Sequence, residues 1–214
     1  MPPQTPEELQ FISNVAHWVE GGIVGVVALL CLAEALGYGE GRARYLWPGL
    51  ILTAWLFLPP YLLLQSGVGG VGAAAGFLLR DAQQREHLLM AGLLLWAGAA
   101  EVLRRAGVLE GGRWRFVWPA ALLLLGAVFA AHTQYGTPEA VAWSRTWHLY
   151  AGGTIALAGV LKTAEALWGR KFRWLAFPWT VVLLIAALLL VTYREPAGAF
   201  RTSRPGRQQA APEG

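Results

Sequence analysis

Four histidines stand in this 214-residue chain, and three of them open the same phrase. His17 begins HWVEGG, His87 begins HLLMAG and His148 begins HLYAGG, each reading His-x-x-x-[Gly/Ala]-Gly. Imidazole is the commonest metal ligand among side chains. One turn beyond these histidines stand Glu20, Met90 and Ala151, and residues three apart share a helix face. Glu20 and Met90 are therefore expected to point where His17 and His87 point. Carboxylate and thioether also ligate metals, and imidazole with methionine suits copper or haem iron. The fourth histidine, His132, lies thirteen residues after Pro119, where the other copies carry Tyr61 and Val191. Its addition to one copy only is the stronger hint of function.

The phrase belongs to a longer unit used three times. Each copy runs on through an apolar stretch to Ala33-Glu34-Ala35-Leu36, Ala100-Glu101-Val102-Leu103 or Ala164-Glu165-Ala166-Leu167. A basic stretch follows, then Arg44-Tyr45-Leu46-Trp47-Pro48, Arg115-Phe116-Val117-Trp118-Pro119 or, one residue longer, Arg173-Trp174-Leu175-Ala176-Phe177-Pro178, before a second apolar stretch. Hydrophobic residues make up 56% of the chain and charged residues 14%, against about a quarter charged in an ordinary soluble domain. Mean hydropathy is +0.44. Most of the eleven tryptophans fall near the ends of apolar stretches, as an interfacial belt requires. The expectation is an all-α polytopic membrane protein of six transmembrane helices, built as three repeated helical hairpins.

The expected spans are about 11–36, 45–65, 86–105, 115–134, 146–168 and 174–193, giving hairpins of about 11–66, 82–136 and 142–196. Pro48, Pro119 and Pro178 fall in the first turn of each second helix, where the missing N–H costs little. Pro59-Pro60 should kink or end the second span. The glycine-rich segment 67–79 is apolar but too short to span, and reads as re-entrant or surface-lying. Residues 197–214, rich in Pro, Gly, Gln and Arg, are expected to be disordered. No short apolar leader with a cleavage site opens the chain, so the first span should stay in place. Basic residues crowd the loops holding Arg42 and Arg44, Arg104 to Arg115, and Arg170 to Arg173. By the positive-inside rule that side is cytoplasmic, the membrane is the inner or plasma membrane, and both termini lie outside. All four histidines then sit near the extracytoplasmic face.

Glu20 lies deep in the first span, where a carboxylate is costly unless partnered; a hydrogen bond to a neighbouring histidine would relieve it. Glu34, Glu101 and Glu165 lie near the other ends of their helices and read as ion pairs with Arg42/Arg44, Arg104/Arg105, and Lys162 with Arg170. Cys31, the lone cysteine, rules out an internal disulfide and reads as a small core residue. The dispersed arginines do not describe a nucleic-acid surface. There is no Walker loop, no GxGxxG before a strand, no HExxH and no CxxCH. The reading is a histidine-ligated redox or metal centre on His17, His87, His132 and His148, with Met90 and Glu20 as further ligands. Haem b stands slightly ahead of copper, and a quinone or an extracytoplasmic electron carrier is the partner. The rivals are a non-redox metal-ion carrier with outer histidines and inner glutamates, and a cofactor-free accessory or assembly subunit.

Overall fold

Two Thr-Pro steps set the frame. Thr5 caps the first helix with its hydroxyl on the Glu8 N–H (3.2 Å) while the Glu8 carboxylate accepts from the Thr5 N–H (2.9 Å), and Pro6 occupies the first helical position. Thr137 and Pro138 repeat the cap, with Thr137 accepting from Ala140. The structure, a computed structural model, describes residues 5–55, 80–169 and 171–201. Its helices are α1 (Pro6–Ala35), α2 (Leu46–Trp55), α3 (Ala82–Arg105), α4 (Val117–Ala130), α5 (Pro138–Trp168) and α6 (Ala176–Thr192). The fold is all-helical, with no strand among the described residues. Because the Thr-Pro caps lie upstream of the apolar runs, α1 and α5 start five and eight residues earlier than hydropathy places their spans.

Short 3-10 turns, Gly41–Tyr45, Gly112–Phe116 and Arg173–Leu175, lead into α2, α4 and α6. Pro48, Pro119 and Pro178 are each the third residue of the helix that follows, where the sequence puts them. Each helix packs against its neighbours in chain order, and α6 returns to α1, so the six close into a ring. Fully buried alanines line the seams, among them Ala28, Ala121, Ala158 and Ala186, which lets backbones come close without a gap. The approach is tightest between α4 and α5. A Cβ built on Gly126 would stand 2.6 Å from the Gly152 carbonyl oxygen, and one on Gly152 would stand 2.6 Å from the Gly126 oxygen. Gly21 is pressed in the same way on Leu190 and Val191 of α6.

Four of the described helical segments are long and apolar enough to cross a membrane: Pro6–Ala35, Ala82–Arg105, Gly112–Ala130 and Arg173–Thr192. Leucines and valines stand exposed on the outer faces, as at Val26, Leu29, Leu157, Val160 and Leu188, which suits contact with lipid. Four of the six expected spans meet this test within the described residues. α5 has the length but carries His148, Lys162, Glu165 and a glycine pair within it, and α2 is described only as far as Trp55. Pro59-Pro60, Tyr61, the segment 67–79, Arg170 and the tail 202–214 lie outside the described residues.

Residues 197–201, read as the start of the tail, pack onto the body. The Phe200 N–H reaches the Tyr135 carbonyl (3.1 Å), the Thr137 N–H reaches the Gly198 carbonyl (3.1 Å), and Ala199 pairs with Gly136. Ala199 and Phe200 bury themselves with Leu9. Those two apolar side chains offset the ordering cost that the Pro and Gly around them would not.

Candidate functional site

The ring places polar groups at its two ends with an apolar middle. Along α1 seventeen residues separate His17 from Glu34, about 25 Å at 1.5 Å per residue, close to the thickness of a bilayer's hydrocarbon core.

All four histidines meet at one end. Ring centroids are 5.6 Å apart for His17 and His148, 5.3 Å for His132 and His148, and 4.7 Å for His87 and His132. His17, His132 and His148 are buried and His87 is half-buried. α1, α3 and α5 supply one each, and the turn after α4 supplies His132. Phe129 stacks on His148 with centroids 4.9 Å apart, and the Tyr193 ring lies 4.3 Å from that of His17.

Orientation is set through Nδ1 in every case. His17 donates to the Ser13 carbonyl (2.8 Å), His87 to the Gln83 carbonyl (2.7 Å) and His148 to the Ser144 carbonyl (2.7 Å). Each acceptor is the residue one helical turn back. A carbonyl can only accept, so Nδ1 carries the proton and Nε2 is the ring's basic nitrogen. His132 reaches the same state through a side chain, with Nδ1 2.8 Å from the Glu86 carboxylate. Glu86 is held in turn by the Thr133 N–H and hydroxyl, both at 2.7 Å. An N–H donated from Nδ1 to a carbonyl or carboxylate is the arrangement found behind metal-bound imidazoles.

Between the rings of His17, His87 and His132 lies a polar void of about 10 Å³, walled also by Glu20, Gln134 and Glu195 together with Ser13 and Gln83; His148 stands outside this lining. Room of that size takes one water or one ion. As the side chains stand, no three His, Cys, Asp or Glu groups among the described residues converge to hold a metal ion. Below the void opens an apolar cavity of about 190 Å³, with Glu20, His87 and Met90 at its polar rim and Leu122, Phe129 and Ile155 among its walls. Met90 therefore belongs to this lower cavity, one layer beneath the void.

Glu20 faces both cavities but makes no hydrogen bond to a histidine among the described residues. The carboxylate that does so is Glu86. Glu195 is a second group that the spacing of the repeats did not pick out. It lies beyond α6, accepts from the Ser13 hydroxyl (2.7 Å) and is 6% exposed. Burial holds its carboxyl above the ordinary carboxylate range. The Tyr193 hydroxyl bonds the Ser144 hydroxyl at 3.3 Å. Glu86 adjoins His87 in sequence, which was a readable signal; Glu195 carried none.

At the opposite end the expected ion pairs form with one exchange of partner. Glu101 binds Arg104 (2.6 Å) and Arg105 (2.7 Å), and Glu165 binds Lys162 (2.7 Å). Glu34 binds Arg105 of α3 (3.0 Å) and the Trp47 indole N–H (2.9 Å) rather than Arg42 or Arg44. Ring closure puts α3 nearer to Glu34 than its own loop. Cys31 is a buried free thiol.

The glycines after the repeat histidines divide in function. Gly21 and Gly152 are occupied by helix contacts, whereas a Cβ on Gly22, Gly92 or Gly153 would meet nothing within 4 Å. The chain matches no family model, no curated protein and no solved structure.

Proposed function

We propose that this chain is a polytopic membrane protein of three hairpins whose histidine cluster holds a single transition-metal ion, with copper the best suited, for electron transfer or metal handling at the extracytoplasmic face. The observation that carries the reading is the common state of the four imidazoles: every Nδ1 is engaged, three of the rings (His17, His87 and His132) line a void the size of one ion, and the fourth, His148, packs against His17 and His132. Two imidazoles sharing a tetrahedral ion at about 2 Å from each nitrogen hold their centroids about 5 Å apart. The spacings of 4.7 to 5.6 Å are compatible with that arrangement, and small rotations of the rings would bring the Nε2 atoms together.

Copper is preferred over zinc because Met90, in the layer below, is a soft ligand within the same helix face as His87. Haem b is less well supported. Porphyrin needs a flat gap between two facing imidazoles, and the His87–His132 and His17–His148 pairs instead meet edge to face. Gly21 and Gly152 are also filled by neighbouring helices. A quinone in the apolar cavity, or a carrier protein docking at the extracytoplasmic end, is the partner this reading implies.

The test is metal analysis on the full chain purified in detergent and loaded with cuprous, cupric or zinc ions. One ion per chain is expected, held far more weakly in His132→Ala and His148→Ala while both variants still insert. A wild-type protein that retains no metal would overturn the proposal in favour of a cofactor-free accessory subunit. A Soret band after haem loading would replace copper with haem b.

A further inference from the structure

At the end of the ring away from the histidines lies a polar cavity of about 450 Å³, open on one side. Its lining carries five cations, Arg104, Arg105, Arg115, Lys162 and Arg173, against two carboxylates, Glu34 and Glu165. Glu101 supports Arg104 and Arg105 from behind, so the cavity keeps a net charge of two positive units. The carboxylates are already committed: Glu34 and Glu101 to Arg105, and Glu165 to Lys162. That leaves Arg115 and Arg173, which reach the cavity from the 3-10 turns before α4 and α6 and make no ion pair among the described residues. Their counterpart before α2, Arg44, turns instead to the Tyr45 hydroxyl (2.9 Å). The buried indole N–H of Trp179, in the same wall, has no acceptor among the described residues. Donors and positive charge thus exceed acceptors throughout.

We infer that this cavity binds a phosphate-type anion between Arg115 and Arg173, either a free phosphate or the headgroup of an anionic lipid. Guanidinium forks match phosphate oxygens two bonds at a time. A basic recess between helices at a membrane surface is also where anionic headgroups lodge. The inference does not depend on what the histidine end binds.

The experiment has two arms, both on the full chain. In neutral detergent, pyrophosphate is titrated by calorimetry. In parallel, protein from bilayer discs of phosphatidylcholine with and without phosphatidylglycerol is exchanged into detergent, and retained lipid is read by native mass spectrometry. Pyrophosphate binding marks a free anion as the ligand; retention of phosphatidylglycerol without pyrophosphate binding marks a headgroup. In either case R115Q/R173Q should weaken binding by at least about tenfold, the loss of one charge-assisted hydrogen bond. R115K/R173K, which keeps the charge, should fall between, and serves if the first variant does not fold. Arg113→Gln, on the same turn as Arg115 but outside the lining, should change nothing. No binding in either arm, or equal losses in R113Q and R115Q/R173Q, would overturn the inference.

Discussion

Removing the Glu86 carboxylate should weaken metal binding without touching a ligand. Glu86 accepts three hydrogen bonds, one from His132 Nδ1 at 2.8 Å and two from Thr133 at 2.7 Å. In Glu86→Gln an amide oxygen can take the place of Oε2 and keep both of its bonds, and the amide nitrogen can donate to the Thr133 hydroxyl. Only the charge is lost. A charge-assisted bond is roughly twice as strong as a neutral one, a difference of about 1 kcal/mol, so affinity should fall about five- to tenfold. Glu86→Ala removes all three bonds and frees the imidazole to turn or exchange its proton between nitrogens. Its cost should approach 100-fold, the upper range for a group that orients a ligand. The assay is competition for copper against a chelator of known affinity, on the purified full chain. Because Glu86 is argued to act through His132, E86A/H132A should bind no more weakly than H132A alone. Wild-type affinity in E86A, or a further loss in the double variant, would refute the argument.

Gly126→Leu or Gly152→Leu should drive α4 and α5 apart, because the Cβ positions already lie 2.6 Å from backbone atoms of the facing helix; overpacking costs about 1–3 kcal/mol, read as a lower thermal midpoint. Glu195 should make stability fall as pH rises. Burial raises its folded-state value, so the folded protein keeps a proton that the unfolded chain has lost, and stability declines from the ordinary carboxylate range, about pH 4, up to that raised value. Melting across that interval should show the slope in wild type and a flatter profile in Glu195→Gln. A reporter fused after Arg105 should label as cytoplasmic and one after Gly136 as extracytoplasmic; the opposite result would invert the orientation taken from loop charge.

What could be read from sequence follows the range of the interaction. The prolines opening α2, α4 and α6 and the level of His17, His87 and His148 depend on near neighbours and a shared repeat position; the Thr-Pro caps are equally local, but hydropathy alone does not weigh them, so it starts α1 and α5 late. Glu101 found its arginines because they lie three and four residues away on one helix face. Glu34 did not, since its partner Arg105 is 71 residues distant and arrives only when α3 closes on α1 and α2. The bond from Glu195 to Ser13 spans 182 residues, and a carboxylate after the last helix gives no sign of that reach. Glu20 was misjudged in detail for the opposite reason. Helix spacing placed it correctly towards the histidines, but the nearest imidazoles had already spent Nδ1 on their own backbone.

That last arrangement bears on how such a cluster can be built. The acceptor for His17, His87 and His148 is a main-chain carbonyl one turn back, and every helix residue offers one whatever its side chain. An imidazole aimed in this way needs no companion residue to be acquired with it. Each such ring is oriented by its own helix, and α1, α3 and α5 bring three rings already aimed to the same end of the bundle. Only His132, lying past the end of its helix, depends on a second side chain, Glu86. The aim of three rings thus survives side-chain substitution at the acceptor positions, whereas that of the fourth can be switched by a single residue.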